Sequence, residues 1–117
     1  MSELAQTYVS LAELSRELAP AVNELRRLDE VRIHAEADFK SKFARVFREA
    51  TGSVEDRKQQ AWLEADGLWR TWSLAESAVK MQQAHIKALH ARVDVGRSIF
   101  SAQRAEMAFV SSTAGVS

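Results

Sequence analysis

No cysteine occurs among the 117 residues, so neither a disulfide framework nor a thiolate metal site is open to this chain. Proline occurs once and glycine four times, too little punctuation for a protein of many short strands joined by turns. No apolar run comes near the ~20 residues that a membrane span needs. The opening Met1-Ser2-Glu3-Leu4-Ala5 is acidic and polar, where a secretory signal is basic and then apolar. The formal net charge is zero, without the positive excess of a typical nucleic-acid-binding domain. Glycine-rich phosphate loops, nucleophile contexts around Ser, and acid dyads at core positions are all missing. The three histidines, His34, His85 and His90, do not converge. His85 and His90 are five apart, which turns them roughly 140° from one another on a helix. Glu30 and His34 bring one carboxylate and one imidazole, and the paired Glu-x-x-His motifs of di-iron bundles are absent. The expectation is a soluble cytoplasmic protein that is not an enzyme, holds no metal or cofactor, and has no membrane partner.

The sequence does contain a long helical pattern. Ala65, Trp72, Val79, Ile86, Val93, Phe100 and Met107 stand seven residues apart. Leu68, Ala75, Gln82, Leu89, Gly96 and Gln103 follow the first six of them by three. An a/d seam sustained over that many heptads belongs to a helix packed along another helix. Upstream, Leu4, Leu11, Leu18 and Leu25 repeat with the same period, joined by Leu14, Ala21, Leu28 and Ala35. Pro20 interrupts the first helical pattern but not its phase, so a kink is expected there rather than a break. Ser2 is placed to cap the first helix.

Thr51-Gly52-Ser53 is the one convincing turn. Gly52 can take the left-handed conformation that ends a helix. Ser53 followed by Glu55 and Asp56 forms a capping-box-like start for the next. So short a connection makes the two helices antiparallel. The expected fold is therefore all-α: one helical-hairpin domain over 1–110, with helices at about 3–50 and 54–109, a turn at 51–53 and a flexible tail at 111–117. Pairing residues whose numbers sum to about 107 sets Leu11 against Gly96, Leu18 against Leu89, Leu28 against Val79 and Phe39 against Leu68. Large side chains then face small ones at several layers, which fills a seam without voids. Arg32 and Gln82 fall inside the seam, where a polar group can fix register or oligomer state.

A second apolar row, Leu74, Met81, Ala88, Val95, Ala102 and Phe109, runs along the second helix beside the small residues Ser77, Ala84, Ala91, Ser98 and Ala105. An unbroken apolar row is not expected to stay in water. Leu74, Met81, Ala88, Val95 and Phe109 are thus candidate self-association residues, building a homodimer or a larger bundle. Near the turn, Phe43, Phe47, Trp62 and Trp69 are candidate anchors for a partner protein, or thicken the core together with Phe39 and Trp72. Charge is unevenly spread: residues 77–117 carry five bases against two acids. Lys80, Lys87, Arg92, Arg97 and Arg104 are candidate nucleic-acid contacts, since such stripes follow a phosphate backbone by charge alone. The competing reading is a solvated face whose bases pair with Glu13, Glu17 and Glu24 of the first helix.

The run Arg45-Val-Phe-Arg-Glu-Ala-Thr-Gly-Ser-Val-Glu-Asp-Arg-Lys58, with Ala91-Arg-Val-Asp-Val-Gly-Arg-Ser-Ile-Phe-Ser-Ala-Gln-Arg-Ala-Glu106, resembles small helical proteins from the early, recombination and replication regions of tailed phages. The resemblance carries no site residues. It implies a phage-encoded protein in the host cytoplasm and little about mechanism, since such proteins are largely of unassigned function. The role expected from the architecture is a non-enzymatic oligomeric accessory protein that binds a host or phage protein. A nucleic-acid-binding accessory and a phage scaffold or chaperone are the alternatives. The length and topology also resemble the small helical hairpins of type VII secretion, but their Trp-x-Gly turn is replaced here by Ala50-Thr51-Gly52.

Overall fold

A computed structural model describes residues 2–116, and they form two α-helices joined by a short turn. Helix α1 spans Glu3–Glu49 and helix α2 spans Val54–Val116. The fold is an all-α helical hairpin. Its packing gathers into two compact units, one of residues 23–83 containing the turn, the other combining the chain up to Val22 with the chain from Ala84.

The turn is built as its residues dictate. Gly52 has φ of 106°, a left-handed backbone that glycine adopts without the Cβ penalty. A side chain there would meet the Asp56 carboxylate as well. The Asp56 amide donates to Ser53 Oγ at 3.1 Å, and the Ser53 amide donates to Asp56 Oδ2 at 3.3 Å. Each residue satisfies an amide that the first turn of α2 would otherwise leave orphaned, the reciprocal arrangement of a capping box. At the start of α1 the Ala5 amide donates to Ser2 Oγ at 3.1 Å, the expected cap.

In the turn-containing unit, Ala35, Phe39 and Val46 of α1 are buried, as are Ala61, Ala65, Ala75 and Val79 of α2. All lie on the two heptad rows or their continuation. The Phe39 ring sits 5.5 Å from both Trp62 and Trp72, centroid to centroid. It is thus bracketed about position 67, beside its expected partner Leu68. Phe43 lies 5.3 Å from Trp62. Trp72 Nε1 is buried without a hydrogen-bond partner.

In the other unit, Ala21, Leu89 and Val93 are buried. The close approach of Leu11 to Gly96 is direct: a Cβ on Gly96 would stand 2.7 Å from Leu11 Cδ2. Tyr8 meets Phe100 at 6.1 Å. These pairs sum to 107 and 108, so the expected register holds in this unit as well. Pro20 lies inside α1, exposed, and does not end the helix. Its missing N–H costs the helix one bond at the Arg16 carbonyl, on an exposed turn.

Two boundaries differ from expectation. Met107, reckoned part of the seam, is exposed because α1 begins at Glu3 and the register offers Met107 no opposite residue. The stretch 111–116, expected as a tail, continues α2. No proline stops it, and Thr113 Oγ1 donates to the Phe109 carbonyl at 2.9 Å. Ser117 lies outside the described residues.

Two glycines in one helix make a sharp test of this packing. Nothing lies within 4 Å of a Cβ placed on Gly67, so Gly67→Ala should gain about 0.5–1 kcal/mol of stability from helix propensity. Gly96→Ala gains the same propensity but sets a Cβ 2.7 Å from Leu11 Cδ2, so the leucine side chain must turn aside and part of the gain is lost. Urea melts should show the first variant stabilised and the second stabilised less or not at all. Stabilisation of both by equal amounts would refute the Leu11–Gly96 contact.

Candidate functional site

Among the described residues no cluster of three or more His, Asp or Glu is arranged to hold a metal ion, and no helix is long and apolar enough to cross a membrane. The surfaces left for function are the aromatic end near the turn, the outer face of α2 and its basic positions.

The aromatic end divides into residues already engaged and residues still presented. Phe43 is half-buried and packs against Phe39, 5.8 Å away, as well as Trp62. Phe47 is half-buried beneath the Arg57 guanidinium, which stands 4.3 Å from its ring. Trp62 and Trp69 remain 44% and 42% exposed. They are seven residues apart, on one face of α2, with Leu63 exposed beside Trp62. Of the four candidate anchors, the two tryptophans are the more exposed, although Trp62 also packs one side of its ring on Phe39 and Phe43.

Sequence reasoning passed over Arg57. Its Nε donates to the Phe47 carbonyl at 3.0 Å, satisfying one of the acceptors that the end of α1 leaves open. With the stacking on Phe47 it fastens the two helices across the turn. The available signal was a cation placed at the start of α2, opposite an aromatic residue at the end of α1. Only the register reveals that they meet.

On the outer face of α2 the candidate self-association residues are separate from the seam. Leu74 and Met81 are 72% and 74% exposed, Val95 and Phe109 59% and 72%, and Ala88 is exposed. The adjoining Ser77, Ala84, Ala91, Ser98 and Ala105 are exposed as well.

The charged groups behave differently from expectation. The ion pairs seen among the described residues join Arg27 to Glu24, Arg32 to Asp29 and Glu36, Lys40 to Glu36, and Arg70 to Asp66. Each lies within one helix. Glu24, expected to face the basic residues of α2, is instead held by Arg27 at 2.6 Å. Lys80, Lys87, Arg92 and Arg97 are exposed and enter none of these pairs. Arg104 stands 5.8 Å from the Phe100 ring. The reading in which α1 carboxylates neutralise these bases is thus corrected. Pairs three or four apart on one helix form at little entropic cost, and they claim Glu24 first.

Arg32, placed in the seam, turns its guanidinium along α1. Nε donates to Asp29 at 2.8 Å and Nη1 to Glu36 at 3.1 Å. The hydrogen bond to Asp29 raises its pKa, with burial opposing and Glu36 and the α2 residue Glu76 adding weaker attraction. Glu36 is held below the ordinary carboxylate range, chiefly by the hydrogen bond from Lys40, with Arg32 contributing. Lys40 Nζ also lies 5.9 Å from the Trp72 ring.

Comparison with protein-family models, with curated proteins and with solved structures finds no match to this chain.

Two measurements follow. Arg57→Ala should lower stability by about 1–2 kcal/mol, through loss of a charge-assisted hydrogen bond and a cation–π contact. Arg57→Lys should recover little of it, since an ammonium cannot reproduce the planar stacking. Because Glu36 has a lowered pKa when folded, its pairing stabilises the protein above the ordinary carboxylate range and is lost as pH falls through the folded value. The thermal midpoint should fall on acidification, and less steeply in Glu36→Gln.

Proposed function

We propose that this chain is a non-enzymatic helical interaction protein. It self-associates through the outer face of α2 and takes a partner protein on the tryptophan pair near the turn. The observation that carries this reading is the exposure of Leu74, Met81, Val95 and Phe109 on one row of one helix. Contiguous apolar surface is costly in water and marks association sites on soluble proteins. Trp62 and Trp69 add a second apolar surface of the residue type that most often anchors a protein interface. The resemblance to small helical proteins of phage early regions adds an origin, a phage-encoded protein in a host cytoplasm, and no mechanism.

A second reading rests on the unpaired bases. Lys80, Lys87, Arg92 and Arg97 have no carboxylate partner among the described residues, so their charge is available to phosphates. The density is low, and the interaction reading is the stronger.

One set of variants separates the two. Trp62→Ala with Trp69→Ala should abolish capture of the partner, while Arg97→Glu with Arg104→Glu leaves it intact. Fluorescence anisotropy with single- and double-stranded oligonucleotides at low salt should show no submicromolar binding. Tight, salt-sensitive binding that disappears in the Arg97/Arg104 variant would transfer the conclusion to nucleic acid.

A further inference from the structure

We infer that α2 pairs with the α2 of a second copy in one antiparallel register, with Ala88 and Ala91 flanking the two-fold axis and Lys87 set against the partner's Asp94. The inference rests on the self-association proposed above and specifies its geometry.

The outer face has the form of a second heptad seam. Ala84, Ala88, Ala91, Val95 and Ser98 alternate by three and four residues, and all are exposed. Their side chains are short enough to let two helix backbones approach closely. In an antiparallel pair, the two rows of one helix meet the opposite rows of the other. With the axis between Ala88 and Ala91, the partner's Ala91 lies opposite Ala88, and the partner's Ala84 lies opposite Val95. Counted on along the same heptads, Met81 falls against the partner's Ser98 and Leu74 against the partner's Ala105. Each large residue thus meets a small one.

Charge selects this arrangement over its rivals. Lys87 and Asp94 flank the face on one side, both are exposed, and neither enters an ion pair among the described residues. The proposed register sets them opposite one another twice, once on each side of the axis. A parallel pairing sets Lys87 beside the partner's Arg92. An antiparallel slip of one heptad one way sets Asp94 against the partner's Asp94. The other way it sets Lys80 against the partner's Asp94 on both sides but brings Lys87 against the partner's Lys87 between them. The proposed register is the one of the three with attraction and no like-charge contact on this flank. A slip of two heptads leaves Lys87 without an acid in either direction. The other flank supplies no competing preference: His85 stands beside the partner's Arg92. Like charges across a seam oppose pairing and opposite charges set its orientation.

Sedimentation equilibrium at tens of micromolar should give the wild type a mass twice 13.1 kDa. Lys87→Asp, which replaces two attractions by two repulsions, should raise the dimer dissociation constant about tenfold. Lys87→Asp with Asp94→Lys should restore it. Both positions are exposed, so unchanged far-ultraviolet circular dichroism will show that folding is intact. Because the chain has no cysteine, oxidising a mixture of Ala88→Cys and Ala91→Cys chains reads the register directly, and the mixed disulfide should exceed either like-with-like product. A monomer at every concentration overturns self-association itself. A dimer indifferent to the charge variants, or one that links Ala88→Cys chains chiefly to each other, overturns this register alone.

Discussion

A helix packed against a single neighbour can bury only one stripe of its surface, and most features of this molecule follow from that limit. Among the described residues, half of the buried apolar side chains are alanines: Ala21, Ala35, Ala61, Ala65 and Ala75. Leu89 is the one large side chain fully removed from water among the described residues. Alanine brings the helices close but buries little area, so the seam gives precise fit with a modest hydrophobic gain. The aromatic group of Phe39, Phe43, Trp62 and Trp72 adds area where alanines crowd α2. The apolar residues that cannot reach the seam have no second layer to cover them.

The same limit governs the electrostatics. Residues flanking a two-helix seam remain largely hydrated, so long side chains find partners one turn away on their own helix more readily than across the gap. Asp29, Arg32, Glu36 and Lys40 show this: two acids and two bases link along α1, with Arg32 bent out of the seam position its spacing assigns it. Beside the turn a polar contact does cross between the helices, from Arg57 to the Phe47 carbonyl.

Most of the fold was legible in the sequence because a heptad pattern and a turn each constrain many residues at once. The left-handed Gly52, the Ser53–Asp56 cap and the Leu11–Gly96 approach all follow from spacing and residue type. What was not legible depends on where a flexible side chain goes or where a partner stops. Glu24 could have reached α2 or Arg27, and only the placed rotamer decides. Met107 continues the row perfectly, yet the row has nothing to face once α1 has begun at Glu3. The candidate surfaces were legible as rows, but only burial separates Trp62 and Trp69, which are exposed, from Phe43 and Phe47, which are half-buried.

The turn also sets an order in time. Arg57 and Phe47 are ten residues apart in the chain, whereas Tyr8 and Phe100 are 92 apart. Every step away from Gly52 lengthens by about two residues the loop that a new contact must close. The entropic penalty of closure therefore rises along the hairpin, and the contacts beside the turn form first because they are the most local. The molecule closes as a zipper from Gly52, and its free ends are the last part to form and the first to open. Amide exchange should accordingly be slowest around Phe39 and Ala65 and quicken toward Leu4 and Gln103, so that a single glycine in a left-handed conformation sets the direction in which the chain comes apart.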